Sequence, residues 1–401
     1  MIAPTRKYQH SDLSRGQRDQ TLWPTLNGRT GAGWLLDSKH RKAAFVKDFG
    51  GNRMAGRWVN RPEGSNWGEF GPDDQQGRLN LLTSDRVVRA VQEVKTGDRF
   101  CLSLPLDYPG GRLLNPRRFP PRLFTTQRGG LANFNLPLHI SDPRLTDVVC
   151  DDAALICLQY STQWDSLCHV GGWFDADGDG KPEVVYYNGW RGGEHIVGPA
   201  DNQAGDEFTR FEGSNAKALG IENMAEACVQ GRGVLIDLEK HHGKNRVQVG
   251  FDELAGIMKE DGIEVEEGDM VCIHTGFSQG LMDAGKNPTE HDLHNTYACL
   301  DGRDAKLHDW IRDTGVAVMI ADNYGIEDTG VPLPPGNSPI PMLPLHELCI
   351  FKLGIHIGEM FYLTALRDWL RDHGRYRFFL TAPPLRLPGA VGSPPSPIAT
   401  V

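Results

Sequence analysis

Residues Gln159–His169 read QYSTQWDSLCH, set between the apolar run AALICL (153–158) and the glycine pair Gly171 and Gly172. On a β-strand, the period of two sends Gln159, Ser161, Gln163 and Asp165 to one face and Tyr160, Thr162 and Trp164 to the other. On a helix Asp165 would leave the face shared by Gln159 and Gln163, so the strand reading gathers the polar groups better. A straight strand rises ~3.3 Å per residue, which would leave Gln159 and Asp165 ~20 Å apart. If these groups serve one site the backbone must bend, and Ser161 or Thr162 is the place for the bend. The same alternation also fits an ordinary sheet with one polar face and with Trp164 and Tyr160 in the core. The rest of the chain has to decide.

At 401 residues the chain can bury a full core. Hydrophobic residues make up 39% and charged residues 23%, a water-soluble balance, while 47 glycines and 26 prolines imply many turns and long loops. A formal charge of −10 argues against a general nucleic-acid or anionic-membrane binder, which needs a basic face. No run of about 18 apolar residues suggests a membrane span, and MIAPTRKYQHSDLSRGQRDQ lacks an apolar signal core, so a cytoplasmic location is expected. The eight cysteines form no Cys-x-x-Cys pair and read as reduced core thiols, Cys168 included.

Residues 1–60 show no sustained periodicity and are expected to form an N-terminal extension, with the folded domain at 61–401. SDRVVRAVQEVKTG (84–97) predicts a helix capped by Ser84 and stopped by Gly97. Buried strands are expected at RFCLSLPL, GRGVLIDLE, GDMVCIHTG and GVAVMIADN, with amphipathic helices at 219–230, 252–261 and 303–313 and a last helix at 358–374. Strands alternating with helices predict an α/β layered domain.

With these segments in view, the sequence resembles the cyclase family of metal-dependent hydrolases, which includes bacterial kynurenine formamidases and isatin hydrolases. QYSTQWDSLCH has the spacing of that family's His-x-Gly-Thr-His-x-Asp-x-Pro-x-His signature, and NWGEFGPDDQQGRLNLLT (66–83), GRGVLIDLE, GDMVCIHTG, ADNYGIE and LPLHELCIFKLGIHIGE are similar to further family segments. The resemblance implies a compact α/β domain with a central mixed sheet, of the swivelling β/β/α type, assembled as a homodimer or homotetramer around a small-molecule substrate. It also implies a divalent metal ion, manganese or zinc, held by Gln159, Gln163, Asp165 and His346, with His169 and Glu359 as catalytic acid/base groups. Glutamines stand where the signature has two metal histidines. An amide oxygen is a weak neutral ligand, so this exchange should weaken zinc and relatively favour manganese, magnesium or calcium. The implied reaction is hydrolysis of an amide, cyclic amide or lactone. A metal-free binding protein on the same fold, or a lyase or dehydratase using His169 and Glu359, would also accommodate these residues.

Other signals are weaker. DADGDGKPEVVY (175–186) begins like a calcium loop, but its twelfth position is Tyr186, so an aspartate-glycine hairpin is expected. The loop at 107–130 mixes arginine, aromatic residues and proline and suits either a lid over a carboxylate- or ring-bearing substrate or a subunit contact. His195, His241, His242 and His274 receive no role.

Overall fold

The computed structural model describes residues 56–199, 214–330 and 332–401, so all but the last five residues of the expected N-terminal extension lie outside the described residues. Residues 58–60 pack on the folded domain: Trp58 meets Trp67 edge-on, and the Val59 and Asn60 N–H groups donate to the Ala176 carbonyl.

The central element is a mixed nine-stranded sheet. Its strands are β1 (Arg99–Cys101), β2 (Gln163–Asp165), β3 (Gln230–Asp237), β4 (Met270–His274), β5 (Val318–Ala321), β6 (His356–Glu359), β7 (Arg377–Thr381), β8 (Gly392–Ser393) and β9 (Ile398–Thr400). The spatial order is β1-β9-β7-β3-β4-β5-β6-β2-β8. Strands β3 to β6 run parallel, while β7 against β3 and β2 against β6 are antiparallel. The helices that matter for packing are α1 (Ser84–Val91), α2 (Phe251–Asp261), α3 (Ala305–Thr314) and α4 (Thr364–Asp372).

Alternation along the strands divides the core between the two faces of the sheet. Val234 and Ile236 join Val271, Ile273 and Met319 under Leu254 and Ile257 of α2 and Leu307 and Ile311 of α3. Leu235, Cys272 and Ile320 face the other way, onto Trp164, Phe361, Phe378 and Leu366 of α4. This is the layered α/β architecture that the sequence implies. Helices α2 and α3 end on Gly262 and Gly315, both left-handed at φ 65° and 74°, a conformation that closes a helix at little cost only for glycine.

Several boundaries differ from the sequence reading. Helix α1 stops at Val91 and is capped by Thr83, whose hydroxyl accepts from the Arg86 N–H, so Ser84 is already inside it. The 219–230 helix is confined to Ile221–Glu226, because β3 starts at Gln230. The expected helix at 358–374 begins only at Thr364; His356–Glu359 is a strand, paired on one side with β5 and on the other with β2. Cys101, Cys150 and Cys228 are exposed, so only part of the cysteine set lies in the core. The 175–186 segment is a hairpin: Gly172–Phe174 pairs with Glu183–Val185, and Asp175 accepts from the Gly178 and Gly180 N–H groups.

At the end of β3, Asp237 accepts from His274 Nδ1 at 2.9 Å and from Arg371 at 2.7 Å, with Arg367 3.6 Å away. Burial raises the Asp237 carboxyl, but these partners outweigh it and hold the group well below the usual carboxylate range. A depressed folded-state value means that the stabilisation is complete above the unfolded value of about 4 and is lost as pH falls through the folded one. Urea unfolding between pH ~2 and ~6 should therefore show a weaker acid slope in Asp237→Asn than in the wild type. Equal slopes would show that the network contributes no charge-dependent stability.

Candidate functional site

The QYSTQWDSLCH segment bends where a shared site requires it. Residues 158–162 form turns and bends, only Gln163–Asp165 are strand, and a further turn brings the His169 N–H to the Ser166 carbonyl at 3.0 Å. Ser161 donates to the Pro105 carbonyl, and Thr162 donates to the Met360 carbonyl at 2.6 Å while accepting from the Leu104 N–H. These bonds clamp the bend to neighbouring chain. Trp164 lies in the core as alternation predicts. Tyr160 is buried too, but apart from that cluster: the bend turns it to the wall of a cavity, where its hydroxyl donates to the Gly111 carbonyl.

Strand register sets the rest. Gln163 stands directly opposite Glu359 on β6, and Asp165 stands opposite Gly392 on β8. The Gln163 amide nitrogen therefore reaches Glu359 at 2.9 Å and Asp165 at 3.3 Å, all three side chains being buried. Directly after Glu359, Met360 holds a left-handed φ of 51°, a strained conformation for a bulky residue that ends β6 at this point. His346 arrives from the turn Pro344–His346, which runs into the π-helix Glu347–Lys352. Its Nε2 is 3.2 Å from Glu359 and 3.9 Å from Asp165.

Asp165, His346 and Glu359 thus bring ligand-type atoms within 4.8 Å of one another. His169 Nε2 is 3.7 Å from Asp165, and His169, His346 and Glu359 border a cavity of about 510 Å³ with Arg118, Tyr160 and Tyr324. Gln159 lies beside this group without a hydrogen bond to it. A Cβ on Gly392 would come within 2.4 Å of its Nε2, so the amide lies over the strand partner of Asp165.

Electrostatics single out the same groups. Burial pushes Glu359 up to about 7 although the His346 hydrogen bond pulls it down. Burial would lower His346, but its hydrogen bonds to Glu327 and Glu359 overcome it and raise the ring in the ion-free protein; a divalent ion at Nε2 would take the place of that proton. Burial holds His169 below the usual histidine value, hence neutral. Cys168 is buried against Ser166 and pushed up to about 12, which makes it inert as a nucleophile.

The sequence profile of the Cyclase family matches residues 131–328. The crystal structure of a novel cyclase is 30% identical to this chain, with a TM-score of 0.63 over 84% of this chain and 99% of that one. The chain belongs to the cyclase family. Isatin hydrolase A from Labrenzia aggregata, bound to benzyl benzoate, is 15% identical with a TM-score of 0.47 over 80% of this chain and 98% of that one. Isatin hydrolase A from Ralstonia solanacearum is 15% identical with a TM-score of 0.47 over 75% and 91%. No curated protein matches the sequence.

In this cyclase-family protein two residues of the site carried no assignment in the sequence reading. Glu327, buried in the loop after β5, accepts from the Leu345 N–H at 2.6 Å, the His346 N–H at 3.0 Å and His346 Nδ1 at 2.6 Å. One carboxylate thus caps the helix start and fixes the imidazole with Nε2 facing Asp165 and Glu359. Its signal was the acid in ADNYGIE following a parallel strand, where open α/β sheets place their sites. The other is Arg118, in the 107–130 loop, which donates to the Gln159 carbonyl.

The residues present fit a divalent cation. Buried Asp165 Oδ2 and Gln163 Oε1 are acceptors without a hydrogen-bond partner among the described residues, and buried acceptors left in that state favour a cation. The carboxylate–histidine arrangement of Glu327 and His346 is the kind that orients a metal-ligating imidazole. Replacing Glu327 with glutamine should weaken divalent-ion binding about 10- to 100-fold with the fold retained, read by metal titration alongside circular dichroism. Unchanged affinity would reduce Glu327 to a helix cap.

Proposed function

We propose that this cyclase-family protein is a metal-dependent hydrolase that opens an amide, cyclic amide or lactone bond in a small, ring-bearing molecule. The observation that carries the reading is the convergence of Asp165, His346 and Glu359 at one end of a cavity of about 510 Å³, with a neutral His169 alongside. Asp165 and His346, with the Gln163 and Gln159 amides, are the residues assigned to the ion. A divalent ion there, manganese or zinc, supplies Lewis-acid polarisation of the substrate carbonyl. His169 Nε2 accepts a proton from the attacking water and returns it to the leaving nitrogen or oxygen. Glu359, 3.2 Å from His346 and 2.9 Å from the Gln163 amide at the same end of the cavity, serves as the second acid/base group.

The acidic net charge supports a small-molecule substrate over a nucleic acid. Among the described residues no helix is long and apolar enough to cross a membrane. A homodimer or homotetramer is part of the same proposal, with exposed Leu123, Phe124 and Val148 among the apolar side chains open to a second copy. Elemental analysis, followed by a screen of amides and lactones with manganese or zinc, tests the function. Hydrolysis that requires the ion and stops with chelator is expected. Absence of bound ion after manganese or zinc soaking, together with no turnover, would sink the reading.

A further inference from the structure

The cavity has a cationic wall that the hydrolytic reading leaves unused. Arg118 is partly buried in the segment Pro109–Arg118, and this segment is fixed at several points. Tyr160 donates to the Gly111 carbonyl, Phe119 is almost fully buried, and its N–H points at Cys157 Sγ. One Arg118 amino group donates to the Gln159 carbonyl. Its other N–H donors have no hydrogen-bond or ion-pair partner among the described residues, although the guanidinium lines the same cavity as His169, His346 and Glu359. Its charge is felt by both His169 and Glu359, yet it is bonded to neither.

A half-buried guanidinium held by one neutral carbonyl has lost part of its hydration without gaining an anionic partner. Its planar fork matches a carboxylate, with two parallel hydrogen bonds. Arg117, exposed beside it on the cavity rim, also makes no side-chain hydrogen bond or ion pair among the described residues and adds positive potential at the entrance. Leu114, Tyr160, Tyr324, Met342, Leu343 and Met360 give the wall an apolar or aromatic stretch, interrupted by the polar Arg112, Asn115, His294 and Thr329. Tyr324 is held in place by its hydroxyl contacts to His294 at 3.1 Å and Thr329 at 3.3 Å.

We propose that Arg118 recognises a carboxylate on the substrate, so that this cavity takes small carboxylate-bearing molecules with an apolar, ring-sized body. The inference rests on the hydrolytic reading for the word substrate, but its test does not require turnover. A single fork facing a floor that already holds Asp165 and Glu359 favours a monoanion over a more highly charged group.

The test compares phenylacetate with its neutral counterpart phenylacetamide by calorimetric titration of the wild type, Arg118→Met, Arg118→Lys and Asp165→Asn. In the wild type phenylacetate should bind about tenfold to a hundredfold more tightly than phenylacetamide, the span expected for a charge-assisted hydrogen-bonded pair. Arg118→Met should abolish that preference while leaving phenylacetamide affinity unchanged, and Arg118→Lys should restore part of it. Asp165→Asn should keep it. Mere loosening of the Gln159 turn would weaken both probes together and leave their ratio intact, which would overturn the proposal. Equal or absent binding of phenylacetate to the wild type would overturn it too. So would a preference that survives Arg118→Met but vanishes in Asp165→Asn, because the carboxylate would then sit on an ion. Failure of the amide and lactone screen would remove the hydrolytic reading without touching these ratios.

Discussion

Asp165→Asn is expected to strip the ion from the protein and lower turnover by about three orders of magnitude or more, since Lewis-acid polarisation contributes several kcal/mol to such a reaction. Asp165 lies 3.3 Å from the Gln163 amide and 3.9 Å from His346, and its Oδ2 has no hydrogen-bond partner among the described residues. Asparagine keeps the shape and removes the charge. The fold should survive, because the backbone of β2 stays paired with Ile357–Glu359 on one side and Gly392 and Ser393 on the other. The metal-free variant should even melt at or above the temperature of the metal-free wild type. The Asp165 charge helps to raise Glu359, so its removal relieves a buried repulsion. Elemental analysis, kinetics and thermal unfolding read the three effects separately. An ion retained at full occupancy would move the anchor elsewhere.

Which parts of this molecule could be read from sequence depends on how local each determinant is. The central strands were legible because GVLIDL, MVCIHT and VAVMIA are continuous apolar runs, the signature of strands covered on both faces. The same apolar character misled at 355–362: IHIGEMFY suits a helix as well as a strand, and only pairing with β5 and β2 decides for strand. The bend in QYSTQWDSLCH came from a length argument, since one ion cannot be shared across ~20 Å of straight strand. Its consequence for Tyr160 did not, because the direction of the turn is set by Pro105 and Met360, distant in sequence. Glu327 was hidden for a related reason. Nothing in ADNYGIE reveals that the start of the 344–346 turn will come to rest on its carboxylate.

His169→Ala is expected to slow the chemical step by about two to four orders of magnitude while leaving fold and metal content essentially unchanged. His169 comes after Asp165 through a tight turn and stops 3.7 Å short of it, beyond hydrogen-bond reach. A residue so placed borders the cavity without needing to hold the ion. Its ring is kept neutral because burial disfavours the charged form more strongly than the nearby Asp165 charge favours it, and the Arg118 charge acts in the same direction as burial. A neutral imidazole at the cavity wall can take a proton from water, whereas an imidazolium cannot. Alanine removes the acceptor and leaves space for an unassisted water, so binding of a non-reacting ligand should persist while the maximal rate falls. His169→Asn separates chemistry from packing: it can keep hydrogen bonds to its loop but cannot carry a proton at neutral pH, and it should be as slow as alanine. The measurement pairs single-turnover rates with metal content for both variants. Near-wild-type turnover in His169→Asn would make this histidine a loop-holding group and transfer the proton to Glu359.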